Sequence, residues 1–283
     1  MFRGLYTATS GMMANNRQQQ VLTNNLANAS TPGFKKDQTV MRAFPAQLIK
    51  AMETGGTTVG GSKLPATQKQ IGSLHAGVYT QEGIPSFAQG ALKNTGNSTD
   101  LALLSSSLPV NPETGQQGAV SFAVALPNDE IRYTQNGQFT VDDAGFLTTA
   151  EGFNVLGQDL QPIQVNSTDF TINGNGEITS DDGTVNNSLF LSYTENPQQF
   201  IKEGQNLLRW AGDPAEAPVD IQLAGIGNPG ALIQQGYVEQ SNVDLTQTMT
   251  DMMKTYRGFE SNQKIIQAYD RSMEKAVNEI GRV

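Results

Sequence analysis

Apolar residues recur along this chain in two rhythms. In the last forty residues, steps of alternately four and three from Leu245 land on Met249, Met252, Tyr256, Phe259, Gln263, Ile266, Asp270, Met273, Val277 and Ile280. Nine of these eleven positions are apolar or aromatic, and a spacing of about 3.5 residues is that of a coiled-coil seam, narrower than the stripe of a helix on a globular core. No proline falls between Val243 and Ile280, so one continuous helix is predicted, about 57 Å long at about 1.5 Å per residue. The same rhythm runs near the start through Leu5, Ala8, Met12, Asn15, Gln19, Leu22 and Leu26, with five of the seven positions apolar. A seam this narrow cannot be covered by the helix that carries it. The two ends are therefore expected to pack on each other and on similar pairs from other copies.

Polar residues interrupt both seams, Asn15 and Gln19 in the first, Gln263 and Asp270 in the second. At core positions they would weaken a coiled coil but fix its register and strand number; the alternative is partly buried helices with these residues facing solvent. Gly258 in mid-helix costs about 1 kcal/mol relative to Ala, and close approach of another helix is the expected compensation. An isolated helix of about 25 residues with such a seam is marginal in water. Both ends are thus expected to be largely unfolded in the free monomer and to order on assembly.

Between the ends the rhythm has a period of two. Ala119–Val124, Ile131–Thr134, Phe139–Val141, Phe146–Thr149, Gly152–Gly157, Ile163–Val165, Phe170–Ile172, Leu189–Tyr193 and Val219–Leu223 read as short strands. Turn signals recur every 8–12 residues or so, which predicts an antiparallel β-domain. Asn136-Gly137 is read as a hairpin turn between its flanking strands, Asp142–Gly145 as another, and Asn196-Pro197 as the start of a short helix reaching Ile201. The stretch 36–75 shows little periodicity and is read as a linker or extended arm.

Three motifs sharpen this picture. The first helix should stop near Asn28, because Ser30-Thr31-Pro32-Gly33 breaks helices; Asn25 and Asn28 can bond its frayed end and Phe34 can anchor the next segment. The run from Asn24 to Lys35, with Asn25, Leu26, Asn28, Thr31, Pro32, Gly33 and Phe34, resembles the N-terminal signature of the bacterial flagellar axial proteins, the family of rod, hook and hook-associated subunits. Gln89–Leu103, with Gly96, Asn97 and Asp100, resembles a second motif of that family at the entry to its β-rich domain, although Ser105–Gly118 is inserted where the family continues directly into a strand. Gln235–Leu245, with Glu239, Ser241 and Asn242, resembles the entry to the family's C-terminal helix. There Ser241 or Asn242 can cap the helix, and Asp244 suits its positive first turn.

The resemblance implies an α+β fold: long N- and C-terminal coiled-coil helices paired together (1–35 and 225–283), an arm (36–75) and a central antiparallel β-domain (76–224). It implies a structural subunit of the flagellar basal-body rod, closest to the distal rod, that polymerises into a helical tube and transmits torque. A hook or hook-junction subunit is the neighbouring alternative. Its partners would be its own copies, other rod and hook proteins and the flagellar type III export apparatus, through which the family leaves the cell without a cleaved signal. Leu5, Met12, Leu22 and Leu26 on one helix and Leu245, Met249, Met252, Tyr256, Phe259, Ile266, Met273, Val277 and Ile280 on the other would form the assembly seam.

Composition fits that reading. The chain is 37% hydrophobic and 16% charged, against about 45–50% and 25% for an ordinary soluble domain. Asn, Gln, Ser, Thr and Gly fill the difference. There is no cysteine, which excludes disulfides, thiolate metal sites and thiol nucleophiles. Residues 1–75 carry a net +6, residues 76–224 a net −14 and residues 225–283 a net −1. An acidic centre argues against nucleic acid, whose phosphates need clustered Lys and Arg, and no apolar run is long enough to span a membrane. The first 36 residues lack acidic groups, as a transit peptide would, but have few basic ones and no apolar h-region, so no cleaved signal is expected.

Candidate chemistry is sparse. His75, the only histidine, has no nucleophile or orienting acid nearby in sequence. Asp142, Asp143, Asp181 and Asp182 could pair as glycosidase carboxylates or bind calcium, the basis of a competing reading as a secreted carbohydrate-acting β-domain with trimerising helices. Each pair sits beside a glycine at an expected hairpin tip, where turn geometry alone favours Asp. No catalytic residue, metal site or cofactor is therefore assigned.

Overall fold

The computed structural model describes residues 2–45, 47–52, 68–74, 77–81, 83–105, 108–112, 115–128, 130–165, 170–174, 176–180, 185–221 and 232–280. It is an α+β chain with a helix at each end, α1 (Phe2–Ala27) and α2 (Leu245–Lys275), and antiparallel β-structure between them. Among the described residues no helix is long and apolar enough to cross a membrane. The chain forms two compact units, one of residues 1–24, 38–83 and 246–283, the other of residues 25–37 and 84–245.

The second unit is organised by strand β1 (Ala119–Ala125), whose first six residues are all buried. A strand covered on both faces reads as an unbroken apolar run, which is why Ala119-Val120-Ser121-Phe122-Ala123-Val124 lacks alternation. One edge of β1 pairs with β2 (Ile131–Thr134). The other edge is shared: β6 (Leu191–Thr194) takes Ala119–Phe122 and β5 (Asn154–Val155) takes Val124 and Ala125. From β5 the sheet continues through β4 (Leu147–Thr149) to β3 (Phe139–Val141); from β2 it continues through β8 (Leu207–Trp210) to β7 (Phe200–Gly204), while β9 (Val219–Asp220) pairs with β6. All these pairings are antiparallel. The core lies on this sheet, with Phe122, Phe139, Leu147, Ile163, Leu189, Leu191 and Ile221 fully buried; the Phe122 and Phe139 rings meet edge to face at 5.0 Å.

Two expected elements differ. Asn136-Gly137 does not close a hairpin, because β2 pairs with β1 and β8 while β3 pairs with β4. Instead the Gly137 carbonyl accepts from the Leu101 amide at 2.9 Å, and a Cβ on Gly137 would collide with the Leu101 carbonyl oxygen. The glycine is there for backbone contact, and this contact overrides local turn chemistry. Ile163 and Val165 are buried but joined by isolated bridges and loop hydrogen bonds instead of a strand ladder. By contrast, Asp142–Gly145 does turn the β3–β4 hairpin; a short 3-10 helix does follow Asn196, but it covers only Pro197–Gln199 and stops before Ile201, which lies in strand β7.

In the first unit, two hairpin-like pairs occupy the stretch that showed no period in sequence. Met41–Ala43 pairs with Val78–Thr80, and Gln47–Met52 with Gln68–Leu74. The former pair is tied to α1 by Thr80, whose hydroxyl donates to the Ala14 carbonyl at 3.0 Å, and by Ser10, whose hydroxyl accepts from the Val78 amide at 3.3 Å.

Because Gly137 has no room for a side chain, Gly137→Ala is expected to destabilise the β-unit by about 1–3 kcal/mol or more, the range for overpacking. Urea unfolding followed by fluorescence of Trp210, the single tryptophan, measures this. A change within about 0.5 kcal/mol, as at an unconstrained surface position, would contradict the close approach.

Candidate assembly surfaces

The segment after α1 is held by hydrogen bonds within it and by residues far along the chain. Asn25, buried, makes a two-way bond with Asp37: its Nδ2 donates to the Asp37 carbonyl and its Oδ1 accepts from the Asp37 amide, both at 2.9 Å. This closes a loop in which the Thr31 amide donates to the Asn28 carbonyl at 3.1 Å and the Thr31 hydroxyl to Asn28 Oδ1 at 3.4 Å. The Pro32 carbonyl accepts from Asn206 Nδ2 at 3.0 Å. Gly33 has φ +68° and donates its amide to the Glu239 carbonyl at 2.8 Å; a Cβ there would lie 2.5 Å from the Asn136 amide nitrogen. Both the left-handed backbone and the lack of space therefore require glycine. Phe34 is buried beneath the Lys202 ammonium, 4.3 Å from the ring centroid, within range of a cation–π contact.

Next to it lies a buried ion pair. Lys35 Nζ is 2.7 Å from Glu239 Oε1, with both side chains about 5% exposed, and it also donates to the Ala88 carbonyl at 3.1 Å. The same Glu239 oxygen accepts from the Gly90 amide at 2.6 Å. Lys202 joins this cluster by donating to Asp37 Oδ1 at 2.7 Å and to the Lys35 carbonyl. Burial pushes the Lys35 ammonium below its ordinary pKa, with Glu239 opposing; burial does the same to Lys202 against Asp37. A lone buried ammonium would cost several kcal/mol, so the carboxylate partners are what allow these lysines inside.

The other motif residues complete the frame. Gly96 has φ +73° and, with Thr95, donates to the Gly236 carbonyl at 3.2 and 2.9 Å. Asn97 Nδ2 donates to Asp100 Oδ2 at 3.1 Å, and buried Asp100 accepts the Gly236 amide on its carbonyl at 2.8 Å. Asn242 does not cap α2: its Oδ1 accepts from the Lys36 amide at 2.7 Å and its Nδ2 donates to the carbonyls of Ser86 and Ala88 at 2.8 and 2.9 Å. The Ser241 hydroxyl accepts from the Val243 amide at 3.4 Å. Asp244 immediately precedes the helix, at the position where a capping side chain acts. Sequence reasoning placed Lys35 at the end of the first motif without a role, and missed Asp37, Lys202 and Asn206. Lysines are ordinarily solvated, and nothing in the local sequence marks Lys35 or Lys202 as buried.

The terminal helices run antiparallel where they meet: Gly4 faces Tyr269, Gly11 faces Asn262, and Asn15 faces Gly258. On α1, Leu5, Met12, Leu22 and Leu26 are half-buried and Ala8 is buried. On α2, Met252, Phe259, Ile266 and Met273 are half-buried, whereas Leu245, Met249, Tyr256 and Val277 are exposed; the side chain of Ile280 lies outside the described residues. The inward face of α2 is instead completed by Thr248, Thr255, Asn262, Tyr269 and Ala276. It keeps one column of the expected seam and replaces the other with its neighbour.

Of the two acidic pairs, only Asp142 and Asp143 lie among the described residues. Asp142 Oδ1 accepts from the Asp143 amide at 2.7 Å within the exposed β3–β4 turn. Asp181, Asp182 and His75 lie outside the described residues, and among the described residues no cluster of three metal-ligating side chains occurs.

Three stretches match known families. Residues 5–35 match the flagella basal body rod protein family, residues 117–180 the flagellar hook protein FlgE/F/G D1 domain, and residues 234–279 the flagellar basal body rod FlgEFG protein C-terminal family. The chain is 40% identical, over the full length of both chains, to the flagellar hook-basal body complex protein FlhO of Bacillus subtilis. It is 32% identical to the flagellar basal-body rod protein FlgG of the same organism, covering 98% of this chain and 99% of that one, and 29% identical to FlgG of Borreliella burgdorferi, covering 98% of each. The chain belongs to the family of flagellar basal-body rod and hook-basal body proteins. Its place is thus among the structural rod or rod–hook subunits of the flagellum.

Lys35→Met leaves Glu239 buried without its cation, and is expected to cost about 3–5 kcal/mol. Replacing the pair together, Lys35→Met with Glu239→Met, should recover much of that loss in urea unfolding. A single variant as stable as the parent would show the pair to be dispensable. Between the lowered folded-state pKa and the ordinary lysine value, the folded chain binds fewer protons than the unfolded one, so stability should rise with pH across that window. The rise should shrink in the double variant, leaving the contribution of Lys202; an unchanged slope would remove Lys35 as its source.

Proposed function

We propose that this protein polymerises into a helical tube in the flagellar rod, in the distal rod region, and transmits torque along it. The observation that carries this reading is the two-sidedness of α2. One face meets α1, while Leu245, Met249, Met253, Tyr256 and Val277 stand exposed on it, an unusual arrangement for a free surface. Neighbouring copies covering that face by coiled-coil packing would account for a seam wider than a single chain uses. Head-to-tail contacts of this kind make filaments when the rotation between copies does not close. Its partners are further copies of itself and other rod and hook proteins, with delivery by the flagellar type III export apparatus. A shaft held by many such seams in parallel resists torsion, and its work is mechanical, without a reaction centre. The motif residues around Lys35 and Glu239 act in this reading by holding residues 25–37 in a fixed path.

Met249→Asp combined with Tyr256→Asp places two charges on the exposed face without touching the β-unit. The variant is expected to keep the parent's Trp210-detected unfolding transition yet to leave cells without complete rods and non-motile. Normal basal bodies by electron microscopy would overturn the proposal.

A further inference from the structure

Polar contacts of an unusual kind join the two terminal helices. Gly11 and Asn15 lie four residues apart on α1, and Gly258 and Asn262 lie four apart on α2. A Cβ on Gly11 would come within 2.9 Å of Asn262 Nδ2, and one on Gly258 within 2.9 Å of Asn15 Nδ2. The two helices thus carry the same five-residue Gly-xxx-Asn cassette in opposite directions. The asparagine of each occupies the gap left by the glycine of the other. A third contact keeps the same register one heptad away, where Tyr269 fills the space over Gly4. From pair to pair the positions advance by seven and then four on α1 as they retreat by seven and four on α2.

We infer that this reciprocal Gly-xxx-Asn interlock is the device that selects the antiparallel register of the terminal helices. The rest of the α2 face selects a heptad register weakly: its half-buried Met252, Phe259, Ile266 and Met273 recur every seven residues, and Thr248, Thr255 and Ala276 beside them are small and uncharged, so both columns would tolerate a slip of one heptad. The interlock would not. A slip in one direction sets Asn15 against Asp251 and Gly11 against Thr255; in the other it sets Asn15 against Ile265 and Asn262 against Gln18. Either way the glycine gaps lose their asparagines, and both amides lose their seats. Two glycines in helix interiors, each costing about 1 kcal/mol relative to Ala, are retained because any side chain there would push the helices apart. A polar residue buried in a helix seam is the best-attested way to specify register. Here the specification is doubled and runs in both directions. Its consequence is positional: the register decides which residues of α2 turn toward α1 and hence which remain outward.

The absence of native cysteine allows a direct test in the full chain. The Cβ position at residue 11 is 3.5 Å from Asn262 Cγ, so a cysteine pair at 11 and 262 is within reach of a disulfide. G11C/N262C should form an intramolecular disulfide under mild oxidation, while the slipped pairs G11C/T255C and G11C/Y269C should form about tenfold less or none. With that reporter in place, the remaining half of the interlock carries the register alone. Adding G258N, which sets Asn against Asn, should cut the yield about tenfold; adding N15G as well exchanges glycine and asparagine between helices at unchanged composition and should restore it to within about twofold. Equal crosslinking of the slipped pairs, no effect of G258N, or failure of the N15G exchange to rescue would each overturn the inference. It concerns pairing within one chain, so a failure here leaves the rod reading standing, and a failure of rod assembly leaves this one.

Discussion

A lysine ammonium out of water, with one carboxylate to answer it, is the constraint on which the β-unit's frame depends. Lys35 and Glu239 are 204 residues apart, and around their contact gather the amide of Gly90, the carbonyl of Ala88 and, through Lys202 and Asp37, the two ends of the loop that follows α1. None of these groups has a good local alternative. A buried charge is tolerated only when geometry and extra hydrogen bonds are both in place, so the cluster forms as a whole or not at all. It gives the segment between Asn25 and Asp37 a defined path although that segment contains no regular secondary structure beyond its ends. A charged cluster also discriminates between right and wrong partners more sharply than apolar packing does, because a mispaired ammonium is penalised and a mispaired methyl is not.

The helical unit is built on an opposite economy. Its contacts are shallow: glycines, asparagines, threonines and half-buried methionines meet where large aliphatics would be expected in a self-sufficient bundle. Such an interface holds two helices in place while leaving Leu245, Met249, Met253 and Tyr256 of α2 exposed. In the β-unit, by contrast, Phe122, Phe139, Leu147, Leu191 and Ile221 are withdrawn from solvent. One chain thus contains a part that is complete by itself and a part left open, a division suited to a subunit of a polymer.

Much of this was legible beforehand, for reasons that differ by element. The buried run Ala119–Val124 and the strands Ile131–Thr134 and Phe170–Ile172 were readable because their apolar pattern coincides with the strand that forms. The α1 seam was readable too, with Leu5, Met12, Leu22 and Leu26 all drawn in from solvent. On α2 only the column through Met252, Phe259, Ile266 and Met273 could be seen. Its companion, Thr248, Thr255, Asn262, Tyr269 and Ala276, is mostly polar or small and emits no hydrophobic signal. Asn136-Gly137 misled because local turn preference is a statement about four residues, whereas Gly137 answers to Leu101. The ion pair was invisible for a related reason: nothing within thirty residues of Lys35 announces that Glu239 will reach it.

The outward side of α2 has a chemical as well as a mechanical character. Met249 and Met253 are more than half exposed there, and thioethers in that situation are open to oxidants. Sulfoxide would replace a pliable, greasy side chain by a polar, chiral one. In the proposed assembly such oxidation would reach subunits awaiting incorporation, whereas copies enclosed by their neighbours would be shielded.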